Sequence, residues 1–441
     1  MKKKLFLLGL AMLFSVAFLA ACGNGDSDAA DDPTEPEVVD EEPTEADEEP
    51  DVADENEFGG ETITLWLDNN GYAEALIAAL NERFPDSTFE FEYVGGSYTV
   101  DRLALDGPAG VAADILLFPH DHIARASAQN LLLPLGPDFS NAMHGRIPED
   151  SIGTIISGGN YLGVPLRRES LALFYNADLL AANDLELVSS WEELIEQAAD
   201  FNDVANNDFL IRWHAGDAFH SHFILTAHGF QLFGPDHNDP DLVNFDTPEA
   251  IAGLEFLASL RDILPVTAGD LTWDTVHGAF VAGEVPYIIT GPWSISDIRD
   301  NGDFEWGITT IPTINGVAPT TFGGSHIAAI SSHTPYAELA RAVLEFMMSN
   351  EGLQIMYNTV GALPALIDVS VIDGVTEDPF LLGIEAQANN SHPMPIIPEL
   401  SHFWASAPDM YTAVWEGLLS PEAAAAQAMI DFEAARALAG N

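Results

Sequence analysis

The chain has 441 residues, with 70 Asp and Glu against 14 Lys and Arg, a formal charge of −56, and one cysteine. This balance argues against nucleic acid and anionic membrane surfaces as partners, because both demand positive patches. A single cysteine rules out a disulfide framework.

Lys2, Lys3 and Lys4 precede an apolar run from Leu5 to Phe18, and small residues lead to Cys22. These are the parts of a secretory signal peptide over residues 1–21. The run approaches the lower length limit of a membrane span, but the small-residue cleavage site and the polar tract after it favour removal. Leu19-Ala20-Ala21-Cys22 resembles a bacterial lipobox, which implies cleavage before Cys22 and lipid on its thiol. From Gly23 to Glu57 there are 17 acids, no Lys or Arg, and four prolines. Self-repulsion and too few apolar side chains should keep residues 22–60 extended, a tether between lipid and folded body.

About 380 residues follow, too many for one ordinary core and suited to two lobes. They open with Thr62 to Leu67, which alternates like a strand, and a helical stretch from Tyr72 to Phe84 with Leu76, Ile77 and Leu80 on one face. Phe89 to Val94 supplies the next strand, so the start reads β-α-β. Asp114 to Phe118 is a buried-strand run ending at Pro119-His120-Asp121-His122. Ligands in open α/β sheets bind beyond the carboxyl ends of strands, so Phe118 to His122 and Asp68 to Gly71 are candidate cleft loops.

Gly163 to Asp178 sets Arg167, Arg168 and Glu169 inside an apolar, strand-like run. Charges there suggest the wall of a wet cleft, since a closed core would leave them unpaired. The segment is expected to cross between lobes. Ser190-Trp191-Glu192-Glu193 reads as a capping box with Trp191 packed on the first helical turn. Arg212 to His228 is less regular, with Phe219, His220, His222 and Phe223 among small and polar residues. Thr247-Pro248 opens another helix, and Thr275 to Phe280 reads as helical up to Gly283. The strand Val285 to Thr290 stops at Gly291-Pro292-Trp293, where a sharp turn leaves Trp293 beyond the strand end. Trp306 to Pro312 gives one more strand, and Thr320 to Gly324 a second crossing. Thr334-Pro335 begins a long helix interrupted near Asn350 to Gly352, and Ser420-Pro421 opens a terminal Ala-rich helix.

The pattern resembles the extracellular solute-binding lipoproteins of ABC importers, specifically the maltose and maltodextrin group. The matching pieces are Leu65-Trp66-Leu67 with Gly71-Tyr72, Ala113-Asp114-Ile115, His120-Asp121, Gly163 to Leu180, Ser190 to Glu193, Gly291-Pro292-Trp293, Met394-Pro395 and Phe403-Trp404. The resemblance implies an α/β, two-lobed periplasmic-binding-protein-like fold of type II, with the ligand cleft between lobes joined by crossing strands. Residues 61–168 and 324–372 would form one lobe, and residues 169–323 and 373–441 the other. It also implies a malto-oligosaccharide ligand, ABC permease subunits as partners, an anchored position on the outer face of the cell membrane, a monomer, and no cofactor or catalytic residue.

Carried over position by position, the resemblance makes Asp121 and Glu169 acceptors for sugar hydroxyls and Asp217 a further acid from the second lobe. Trp293 and Trp404 match aromatic platforms, and Phe118 and Phe219 stand where other aromatics are expected. Aromatic faces cover the apolar C–H side of a pyranose while carboxylates bind its hydroxyl edge. The chain departs from the group at His122, where an arginine is usual, at His222, which replaces an aromatic, and at Asn69-Asn70, often an acid-base pair.

Two other classes merit a reading. Four or five imidazoles, from His120 and His122 on one lobe and His214, His220 and His222 on the other, would suit Zn²⁺ with Asp121 or Asp217 if they converged, with His120, His122, His220 and His222 as the core set of a metal receptor. Trp and paired carboxylates also suit a glycoside hydrolase, but there is no Gly-x-Ser-x-Gly, His-Glu-x-x-His, Cys pair or phosphate loop with its Lys.

Beyond Lys4, every Lys or Arg is Arg. Arg keeps its charge at alkaline pH where Lys, with a pKa of about 10.4, begins to lose it. Such a composition fits an alkaline or saline exterior, with compositional drift as the alternative. Adaptation predicts that thermal melts taken from about pH 7 to 10.5 and across salt give greatest stability away from dilute neutral buffer; a maximum in that buffer would favour drift.

Overall fold

A computed structural model describes residues 58–440. The expected leader, lipidation at Cys22 and the acidic tract to Glu57 lie outside the described residues.

Two sheets organise the chain. In the first, strands run in the order Leu363–Pro364, Val164–Ser170, Thr321–Ile330, Ile115–Pro119, Thr62–Leu67 and Thr88–Tyr93. Thr62–Leu67 is parallel to both of its neighbours, and Thr321–Ile330 is antiparallel to both Ile115–Pro119 and Val164–Ser170. A short strand, Ser391–Pro393, also pairs with Thr321–Ile330, at Thr321 to Gly323. Ile115 to Phe118 is buried throughout, the signature of a strand covered on both faces. The helix Asn70–Arg83 lays Tyr72, Ala73, Leu76 and Leu80 into this core.

The second sheet has the order Trp306–Thr309, Ala172–Asn176, Tyr287–Thr290 and Ile211–Arg212. Beside it, Trp191, Trp213 and Trp415 meet edge to face at 5.6 and 5.3 Å between ring centroids. Two of the three indole N–H groups find an internal acceptor, Trp213 on Ser221 Oγ and Trp415 on the Val266 carbonyl, while that of the fully buried Trp191 has none.

The chain leaves the first sheet at Ser170 and enters the second at Ala172, so Arg167 and Glu169 end the last strand before the passage. It returns between Thr309 and Thr321.

A buried histidine ties three distant segments together. His120 Nδ1 accepts from the Ser325 amide at 3.3 Å, which leaves Nε2–H to donate to the Met394 carbonyl at 3.0 Å. Burial pushes its pKa down and supports the neutral ring. Gly324 makes room for it, since a Cβ there would overlap the His120 ring.

Local readings differ from the structure in three places. The irregular stretch after Arg212 contains a full helix, Ala218–Thr226, started by Asp217, whose carboxylate accepts from the His220 amide at 2.9 Å. The strand at Trp306 ends at Thr309, before Pro312. The long helix is two, Ala337–Met348 and Asn350–Val360, divided at Ser349, which caps the second.

Candidate functional site

A cavity of about 570 Å³ opens where the carboxyl ends of the first sheet's strands face the second lobe. The first lobe contributes Asp68, Asp121, His122, Arg167, Glu169 and His326. Asp217, Phe219 and His220, from the start of helix Ala218–Thr226, form the opposite side with Trp293. Met394, Ile397, Pro398, Ser401 and Trp404 close the third side.

The floor is an ionic network. Arg167, 4% exposed, donates from Nε to Glu169 Oε1 and from Nη2 to Asp68 Oδ2, each at 2.8 Å. His326 Nδ1 lies 3.0 Å from Arg167 Nη2 and 3.2 Å from Glu169 Oε1. Its Nε2 is 3.3 Å from Asp68 Oδ2 but makes no aligned hydrogen bond. Burial alone would raise the Glu169 pKa, yet the His326 and Arg167 charges and hydrogen bonds outweigh it and hold the carboxyl at about 2. Asp68 is likewise lowered against its burial, through Arg167 and His326. Both carboxylates therefore stay ionised in a nearly dry floor. Asp68 Oδ1 and Asp121 Oδ1 are buried without a partner, acceptor positions waiting for a donor.

The walls are aromatic. Phe219 lies 6.1 Å from Trp293 and stacks on Phe322, which meets Trp404 at 5.7 Å, so the rings form a continuous surface. The buried Trp404 Nε1–H has no acceptor. Asp217 and His220 form a 2.7 Å pair. Burial would raise the Asp217 pKa, but the hydrogen bond and charge of His220 leave it lowered.

The structure gathers Asp121, His122, Glu169, Asp217, Phe219, Trp293 and Trp404 around this one cavity. Three expected residues lie elsewhere. Phe118 is fully buried, because its strand pairs with Ile327 in the middle of the sheet and turns the ring into the core. Asn69 caps helix Asn70–Arg83 by accepting from the Tyr72 amide at 2.9 Å, and Asn70, the first helical residue, is exposed and outside the lining. The four-histidine zinc set is not assembled. His120 is spent on Ser325 and Met394, and His222 stacks on Phe322 at 3.7 Å and lines a separate cavity with His237 and His392.

Sequence reading missed His326 and Arg125. Arg125 donates to Asp101 at 2.8 Å and lies 3.1 Å from His122 Nδ1, so a guanidinium lines the cleft one helical turn beyond the position where an arginine was expected. Its i+3 spacing from His122 was the available signal.

A fold with its ligand cleft between two lobes and a mixed aromatic and carboxylate lining is that of a solute receptor. The family described as bacterial extracellular solute-binding protein matches residues 66–354, and the chain belongs to it. It is 24% identical over 383 residues to the maltotriose-binding protein of Pyrococcus abyssi, covering 85% of this chain and 81% of that one. The galactooligosaccharide-binding protein of Bacillus subtilis is 24% identical over 382 residues, covering 84% and 88%. A maltodextrin-binding protein of the same species is 25% identical over 337 residues, covering 75% and 79%. A crystal structure of a cyclo/maltodextrin-binding protein complexed with maltotetraose aligns with a TM-score of 0.71 and 25% identity, over 84% of this chain and 96% of that one.

Replacing Arg167 with Met strands two buried carboxylates, so Arg167→Met should cost about 3–5 kcal/mol in denaturant unfolding. A loss under about 1 kcal/mol would show the network to be solvated. Because the folded-state pKa of Glu169 is depressed, its contribution is fully present above about 4.5 and is lost as pH falls toward about 2. Acid unfolding in that window should be steeper in the parent than in Glu169→Gln.

Proposed function

We propose that the chain is the non-catalytic, lipid-anchored receptor of an ABC sugar importer, binding malto-oligosaccharides outside the cell and handing them to the permease. The observation that carries this reading is the facing of the Trp293, Phe219 and Trp404 surface, with Asp217 beside it, toward Asp68, Asp121 and Glu169 across one cavity. A pyranose has two apolar faces and a rim of hydroxyls. Rings cover the faces and ionised carboxylates take the rim in strong hydrogen bonds. The names of the maltotriose- and maltodextrin-binding relatives agree with this chemistry.

Polar and aromatic groups come from both lobes. A ligand spanning them makes contacts that an open form lacks and so favours closure. Lipid on Cys22 and the acidic tract would hold the receptor near its permease while leaving it room to rotate.

Calorimetry with maltose, maltotriose, longer maltodextrins, cyclodextrins and galacto-oligosaccharides tests this. Saturable one-to-one binding within the malto series is expected, weakened at least about tenfold, or about 1.4 kcal/mol, in Trp404→Ala and in Glu169→Gln. Binding confined to galacto-oligosaccharides would contradict the sugar assignment, and shortened products from maltodextrins would contradict the receptor assignment.

A further inference from the structure

His214, Asp217 and His220 fall on one short segment that folds back on itself. The Asp217 amide donates to the His214 carbonyl at 3.0 Å, and Asp217 then starts helix Ala218–Thr226, placing His220 on the first turn. One donor atom from each side chain can be chosen so that all three lie within 4.8 Å of one another. The two imidazole rings are 5.4 Å apart between centroids.

The hydrogen bonding leaves this group incomplete. His220 Nδ1 is 2.7 Å from Asp217 Oδ1, and its Nε2 is buried with no partner. An ion taking the place of the proton shared by His220 and Asp217 would turn that 2.7 Å pair into two ligands on one centre. The fully buried hydroxyl of Tyr411, which feels the Asp217 charge, also has no partner.

We infer that His214, Asp217 and His220 form a binding site for a divalent transition-metal ion of the zinc type in the wall of the solute cleft. Two imidazoles and one carboxylate suit Zn²⁺ and are a poor set for Ca²⁺ or Mg²⁺, which take oxygen ligands. Bonds of about 2.0–2.2 Å require the three donors to draw together by about an ångström, which side-chain rotation on so short a segment allows. The positive end of the helix opposes a cation here, and the Asp217 carboxylate offsets it. Asp217 and His220 line the cleft, and His214 and His220 line a small pocket behind it with Trp273 and His277, so the three side chains stand between the two. The site shares Asp217 with the sugar reading but does not depend on that reading.

The test uses the mature chain stripped with chelator and titrated calorimetrically with ZnCl₂, with CaCl₂ as the control for loose binding to acidic surface. One saturable Zn²⁺ site absent with Ca²⁺ is expected, weakened at least about tenfold in His214→Ala and in His220→Ala and retained in His237→Ala. Co²⁺ gives a readout without any variant: intense visible absorption of tetrahedral nitrogen and oxygen coordination is expected. No saturable Zn²⁺ site, or one that survives both substitutions, would overturn the inference. Maltotriose titration of metal-free His214→Ala should match the parent, which separates failure of the metal site from failure of the sugar reading.

Discussion

One guanidinium held between two carboxylates sets the geometry of the cleft. Arg167 reaches Asp68 and Glu169 at 2.8 Å each, and those residues follow or end different strands of the first sheet. Desolvating three charges is expensive, and their mutual attraction compensates only with close, aligned contacts. The strands are thereby held in register at the place where the chain passes into the second lobe. The same contacts keep both acids ionised. The network thus joins fold to function, because what stabilises the floor also fixes its acceptors before any ligand arrives.

His120 plays the complementary part with no charge. Its two ring nitrogens bind Ser325 and Met394, so the loop carrying Asp121 is locked to the strand carrying His326 and to the segment leading to Trp404. The aromatic side is less rigidly tied, through ring contacts among Phe219, Phe322 and Trp404.

Much of this was legible before any coordinates. Caps at Ser190, Thr247 and Ser420 announced their helices because a side-chain oxygen before an apolar-periodic run has one favourable use. The charged run at Arg167 to Glu169 marked the cleft, although Arg167 and Glu169 are mostly buried there and paired with Asp68 and His326 rather than solvated. Phe118 was misread because a strand covered on both faces carries no alternation to say which way its last ring points. Asn69 was misread because a cap and a ligand contact use the same residue type after a strand. His326 was invisible because its partners, Arg167 and Glu169, lie more than 150 residues earlier, and only the pairing of Thr321–Ile330 with Val164–Ser170 brings them together. The helix after Asp217 was hidden by histidines and aromatics of indifferent helix propensity, although its aspartate cap was in view.

The most direct test of the central claim is a crystal structure of the folded body grown with maltotriose. The account predicts sugar between the lobes, with ring faces on Trp293 and Trp404, hydroxyls bonded to Asp121 and Glu169, and the Asp68–Arg167–Glu169 geometry unchanged. Sugar bound away from this cleft, or a floor that breaks apart to receive it, would contradict it.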